Sequence, residues 1–280
     1  MRKFVSVSGG KDSTATALLL WERKEDFELI WADTGAELPE NYWIVPRLAQ
    51  LIQKPLHVVS NGTFFQWLVK KGYFLPGSIK KWCTETLKQK PMNEFIKSLE
   101  LSEPVIMNTG IRADEPKRYH PLEYDTKYQI TCYPLYESGY GKKEVIDICL
   151  KYDLLNPCYA WRSSVSCFCC PLQRKSDWQG LLKHHPELYA IAEEWERQSS
   201  ITNEKMDGGC FWWNDDYSLT ELKNWGGRNP SRPTRAQLKK KAYAIHNLCN
   251  DVLWSNEELS TNMGKASDSS IEKQAGGGEG

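Results

Sequence analysis

Phe4-Val5-Ser6-Val7-Ser8-Gly9-Gly10-Lys11-Asp12-Ser13-Thr14-Ala15-Thr16-Ala17-Leu18-Leu19-Leu20-Trp21 runs from a β-branched, strand-like segment through a Ser/Gly turn into a helix-forming segment. Two adjacent glycines let a backbone turn sharply and approach an anion closely, while the first helical N–H groups and the Ser13 hydroxyl supply donors at the positive end of a helix. Lys11 adds a mobile positive charge. The stretch reads as a phosphate cradle, but not of the Walker type, which needs four residues between its glycines and a Lys-Ser/Thr end.

Working outward, strand-like runs recur at Phe4–Ser8, Phe27–Ala32, Leu56–Ser60 and Pro104–Thr109, separated by stretches of helical length. Pro39–Gln53 and Lys88–Leu99 place apolar residues at helical spacing, as do Lys142–Leu154 and Leu181–Gln198. This alternation predicts βαβ units and an α/β fold with an open, mostly parallel sheet. Ligands of such sheets sit beyond the carboxyl ends of the strands, where Ser8–Ser13, Asp33–Glu37 and Gly110–Glu115 fall.

The six residues Ser8-Gly9-Gly10-Lys11-Asp12-Ser13 resemble the PP-loop, SGGxDS, of the adenine nucleotide alpha hydrolase superfamily. Lys81-Trp82-Cys83-Thr84-Glu85-Thr86-Leu87-Lys88-Gln89-Lys90-Pro91 is similar to the (R/K)WCT..LK..P segment of the phosphoadenosine phosphosulfate (PAPS) reductase family. Gly110-Ile111-Arg112-Ala113-Asp114-Glu115-Pro116-Lys117-Arg118 resembles that family's GIRADES..R stretch, with Pro116 where a serine is usual. The resemblance implies five strands with flanking helices, and a smaller helical, cysteine-containing C-terminal region. It implies phosphate contacts from Ser8, Gly9, Gly10, Lys11, Ser13 and Arg118, and a catalytic set of Lys11, Asp12, Lys88 and Arg112, with Lys88 and Arg112 stabilising charge on the phosphorus oxygens. Asp12 would set the loop or Mg²⁺, Asp33 would lie near the nucleoside, and Gly110 would belong to the nucleotide pocket. Arginines suit such work because they offer fixed bidentate donors to phosphate or sulfate.

Nine cysteines are present, three of them within 167–170. Cys167 and Cys170 have the C-x-x-C spacing by which two thiolates bind one metal or cluster, and Pro171 follows as it does in cluster sites. Asn156-Pro157-Cys158-Tyr159 and Cys167-Phe168-Cys169-Cys170-Pro171 resemble the NP.Y and (G)C..CP elements of iron–sulfur members of the same family, with Ser166 replacing the usual Gly. A [4Fe–4S] cluster is the first expectation, zinc the second and reduced structural thiols the third. The resemblance makes Cys83 the third ligand, and Cys158 or Cys169 the fourth.

Thirty-six basic and 36 acidic residues cancel, so no global field draws the chain to nucleic acid or membrane. The N-terminus has no apolar signal region, and no run approaches the ~18 to 20 apolar residues of a membrane span. A cytoplasmic protein with no membrane partner is expected. From 223 to 241 basic residues gather without an acidic one, reading equally as a patch for tRNA or DNA and as a solvated basic helix. The organisation expected is a nucleotide-binding domain over 1–165, a cysteine-bearing helical region over 166–254, and a disordered Ser/Gly/Glu/Lys-rich tail over 255–280.

Sulfonucleotide reductases of the family attack sulfate with a cysteine in an ECG.H setting, which the final 31 residues do not contain. The expected function is therefore ATP-dependent adenylyl transfer in sulfur incorporation into a nucleic acid or base, with ATP (or PAPS) and Mg²⁺ bound. The alternatives are PAPS or adenylyl sulfate reduction and a non-catalytic nucleotide- or nucleic-acid-binding module. A sulfur donor or reductant protein and a second copy of the chain complete the expected partners.

Overall fold

The computed structural model describes residues 1–77, 81–123, 125–165, 167–202, Trp213 and 217–224. The expected tail, the basic stretch beyond Lys223 apart from Asn224, and Ser166, Cys210 and Cys249 lie outside the described residues.

Five strands form one sheet: β1 (Lys3–Ser6), β2 (Glu28–Ala32), β3 (Leu56–Val59), β4 (Val105–Asn108) and β5 (Gln129–Cys132). Their spatial order is β3-β2-β1-β4-β5, and every pairing is parallel. The order reverses between β1 and β4, which makes the gap beyond their carboxyl ends the switch point where such sheets bind ligands. β5 had no strand signal of its own in the sequence: Gln129-Ile130-Thr131-Cys132 is short and follows a polar turn.

Side chains alternate across the strands. Val5, Leu29 and Trp31 pack beneath α1 (Lys11–Glu22), α2 (Pro39–Ile52) and the later α6 (Pro134–Glu137) and α7 (Lys142–Lys151). Phe4, Ile30 and Met107 meet Ile96 of α5 (Lys90–Ser98) on the other face. A third core joins α3 (Phe64–Lys70), α8 (Lys175–His184), α9 (Pro186–Thr202), Trp213 and α10 (Leu219–Lys223). It also takes in Ala36, Leu38 and Leu87, so the cysteine-bearing part shares its core with early residues.

The single helix expected over Leu181–Gln198 is two helices. Pro186 has no N–H and disfavours the helical conformation at His185, which adopts φ −139° and ψ 66°. A π-helical turn over Glu85–Gln89 links α4 (Trp82–Thr84) to α5. Pro91 explains the widening, since its ring would clash with the Leu87 carbonyl four residues back in a regular helix.

Glu196 ties the end of the described chain to α9. Its buried carboxylate accepts N–H groups from Trp213 at 3.1 Å and Leu219 at 2.6 Å. Burial pushes its pKa up to about 8 from the ordinary 4.5, against the pull of those two bonds. The folded chain therefore keeps a proton that the unfolded chain releases, so this contribution is full below pH 4.5 and lost as pH rises to about 8. Over that window wild type should lose up to about 1.4 kcal/mol per pH unit relative to Glu196→Gln, read from urea midpoints. Parallel curves for the two proteins would refute the assignment.

Candidate nucleotide and cysteine site

The turn from β1 into α1 is built from its own donors and acceptors. The Ser8 N–H donates to Ser13 Oγ at 3.1 Å, and that hydroxyl donates to the Gly10 carbonyl at 3.1 Å. Gly10 caps α1 with no side-chain bond of its own, and the positive helix end lies at the switch point. Tyr159 Oη accepts the Lys11 N–H at 3.0 Å. Gly9 has φ +74°, and a Cβ there would lie 2.6 Å from Asn41 Oδ1. Glycine is required on both counts.

Charges gather at the same place. Lys11 Nζ lies 2.8 Å from both Asp12 carboxylate oxygens, and Arg112 reaches Asp12 at 3.1 Å and Asp114 at 2.7 Å. Glu115 faces Arg112 at 3.5 Å and Arg118 at 2.7 Å. Three cations (Lys11, Arg112, Arg118) and three carboxylates (Asp12, Asp114, Glu115) thus form one neutral network. Arg118 is its most exposed cation, at 57%. Gly110 backs directly on this helix end: a Cβ there would stand 2.7 Å from the Asp12 carbonyl carbon and 2.9 Å from the Ser13 nitrogen. Asp33 accepts the Gly35 N–H and the Tyr42 hydroxyl, each at 2.8 Å.

Lys88 lies in a different setting. Cys167 raises its pKa, burial opposes, and Glu37, Cys170 and Cys83 add to the rise, so its ammonium sits among the thiols. Burial pushes the Cys167 thiol up to about 12, helped by Glu37 and offset by Lys88. Burial also raises Cys83 and Cys169, and Cys169 is further raised by Cys167, Cys170 and Cys83. Cys83, Cys167 and Cys169 thus lie in the third core, which also holds Cys158, and the charges of Cys83, Cys167 and Cys170 are felt at Lys88. Cys158 sits against Glu40, which with burial raises its pKa, and Glu40 in turn pairs with His185 at 2.8 Å. Among the described residues no three His, Cys, Asp or Glu side chains converge closely enough to share one metal ion.

Three buried side chains without an assigned role join the two places. Asn156 Nδ2 donates to the Gly9 carbonyl at 3.0 Å and to Asn41 Oδ1 at 2.9 Å. Asn41 Nδ2 donates to Glu37 Oε2 at 2.9 Å. Glu37 Oε1 accepts from Thr34 Oγ1 at 2.9 Å and from Cys167 Sγ at 3.5 Å. Glu37 stands in the acidic turn after β2, and Asn156 precedes Pro157, where each reads as a loop residue. The NP.Y resemblance marks Asn156, but the burial that joins it to Glu37 is encoded by no short-range pattern.

Residues 2–137 match the phosphoadenosine phosphosulfate reductase domain. The chain is similar to two uncharacterized proteins of Methanocaldococcus jannaschii. One is 27% identical over 66% of this chain and 45% of its own length, the other 27% identical over 74% and 43%. The chain thus spans less than half the length of these curated relatives. It also resembles the crystal structure of a phosphoadenylyl-sulfate (PAPS) reductase from Candida auris in a phosphate complex, at 17% identity and TM-score 0.48, over 60% of this chain and 81% of that one. Among the described residues no helix is long and apolar enough to cross a membrane.

Proposed function

We propose, from the premise that this chain is a PAPS reductase-like protein through its domain over residues 2–137, that it binds Mg–ATP at the β1/β4 switch point and transfers the adenylyl group in a sulfur-incorporation reaction. The observation that carries the reading is the neutral network of Lys11, Asp12, Arg112, Asp114, Glu115 and Arg118 at the positive end of α1. Cations alone would suit a bare anion. Carboxylates interleaved with them suit a nucleotide that arrives with Mg²⁺, because the cations can exchange carboxylate for phosphate while the metal takes the carboxylates.

In this reading Ser8, Gly9, Gly10 and Ser13 hold the β- and γ-phosphates, and Asp33 faces the nucleoside. An acceptor oxygen, nitrogen or sulfur forms a bond to the α-phosphorus as the α–β anhydride breaks, and pyrophosphate leaves on the loop with Mg²⁺. Lys11 and Arg112 meet the charge that develops on the phosphorus oxygens. Each such donor is worth about 2.7–4 kcal/mol of barrier. A nucleic acid or base is the proposed acceptor, resting on the basic residues of 223–241.

The cysteine group fits an iron–sulfur cluster better than a single ion. Thiolate-rich donor sets suit such clusters, and Lys88 would offset part of the thiolate charge. Cys83, Cys167 and Cys170 would hold it, with Cys169 as the fourth ligand and Cys158 as the alternative. Bound there, the cluster would supply a site for sulfur or electrons.

PAPS reduction is the second reading, favoured by the domain match itself. Calorimetric titration of anaerobically purified protein with Mg–ATP and with PAPS separates the two. Mg–ATP is expected to bind more tightly, and Lys11→Ala to weaken it by about tenfold or more. Tighter binding of PAPS would overturn adenylyl transfer in favour of the reductase.

A further inference from the structure

The two places on this molecule are joined by one unbroken chain of buried polar side chains. The Gly9 carbonyl, Asn156, Asn41, Glu37, Thr34 and Cys167 follow one another at 3.0, 2.9, 2.9, 2.9 and 3.4 Å. Asn41 is 0% exposed, and Asn156 and Thr34 each 1%. Buried polar groups at this depth are held to their partners, because leaving one unsatisfied costs about 1–3 kcal/mol. Asn41 is also pressed against the loop, within 2.6 Å of where a Gly9 side chain would begin. A shift of the loop cannot leave Asn41 in place, and a shift of Asn41 moves the carboxylate on which Cys167 rests.

We propose that Asn156, Asn41 and Thr34 are positioning residues that couple occupancy of the phosphate loop to the setting of Cys167. The coupling rests on the loop being the nucleotide site. A nucleotide that draws the Gly9–Ser13 backbone onto its phosphates fixes the Asn156 and Asn41 amides, which fix Glu37, which sets the Thr34 hydroxyl, the nearer of the two contacts on the Cys167 sulfur. By linkage, a change at Cys167 alters nucleotide affinity by the same factor.

The test is the rate at which iodoacetamide alkylates each cysteine of the full-length, anaerobically purified protein, read by mass spectrometry with and without saturating Mg–ATP, with iron content measured alongside. In wild type the nucleotide should slow alkylation of Cys167 by roughly fivefold or more, within the usual range of coupling between sites. Cys132, outside the chain, serves as the internal reference. Thr34→Val keeps the side-chain volume and removes the hydroxyl that touches Glu37 and Cys167. It should bind Mg–ATP within about threefold of wild type yet lose the nucleotide effect, and Thr34→Ser should restore it. Asn156→Ala should lose both the effect and part of the affinity. Simple shielding of Cys167 by bound nucleotide would survive in Thr34→Val, and that survival overturns the proposal. So does a wild-type protein that is saturated with nucleotide but shows no change at Cys167. Failure of Mg–ATP to bind at all would instead sink the nucleotide reading on which the coupling rests.

Discussion

Gly110→Ala is expected to weaken nucleotide binding about a hundredfold, the scale set by a displacement of about 1 Å at a positioned site. The added methyl would lie 2.7 Å from the Asp12 carbonyl carbon, 2.8 Å from its oxygen and 2.9 Å from the Ser13 nitrogen. These are backbone atoms of the first turn of α1, so no rotamer change relieves the contact. Either α1 moves away from β4 or the Gly110 segment does, and in both cases the N–H groups offered to phosphate leave their places. Overpacking of this kind should also lower stability by about 1–3 kcal/mol. Gly77→Ala is the control, since its Cβ would meet nothing within 4 Å. Calorimetric affinities beside urea midpoints separate loss of the site from loss of the fold. An unchanged affinity in Gly110→Ala would place the nucleotide elsewhere.

Serine in place of Cys83, Cys167, Cys169 or Cys170 is expected to strip the iron and the visible thiolate-to-iron absorption from the anaerobically purified protein, while Cys158→Ser retains both. The grouping comes from the electrostatics of the thiols: burial raises both, but Cys169 is further raised by Cys167, Cys170 and Cys83, whereas Cys158 is further raised by Glu40. Because buried Cys167 holds its proton to about pH 12 without a metal, loading must release protons and should be more complete at higher pH. Iron lost from Cys158→Ser and kept in Cys169→Ser would exchange the two as fourth ligand. Iron kept in all five variants would remove the cluster from the reading.

How much of this was legible follows the range of each signal. β1, β2 and β4 announce themselves because central strands buried on both faces need apolar runs, edge strand β3 does so through Leu56, Val58 and Val59, and the Ser8–Ser13 turn does so because its chemistry is local. β5 was silent: as an edge strand of four half-buried residues it needs little apolar content. Pro186 marked a break that the apolar spacing on either side concealed. At the site, Asp12 and Arg112 come together although they are 100 positions apart in the chain. Lys88, expected at the phosphates, stands in the π-helical turn ahead of Pro91, where Cys167 raises its pKa against the effect of burial. Asn41 and Glu37 looked like ordinary members of a helix start and an acidic turn. Their importance comes from being enclosed by residues more than 100 positions later, which no window of sequence contains.

The third core has a consequence for synthesis on the ribosome. Leu38, Phe64 and Leu68 are covered by Trp178, Leu181, Tyr189 and Leu222, so early apolar groups wait for late ones. Leu68 and Trp178 are 110 positions apart, a delay of about 5–20 s at roughly 5–20 residues per second. For most of that interval Cys83 has been made and Cys167 has not. The thiols of this core are thus enclosed only once α8, α9 and α10 have been made.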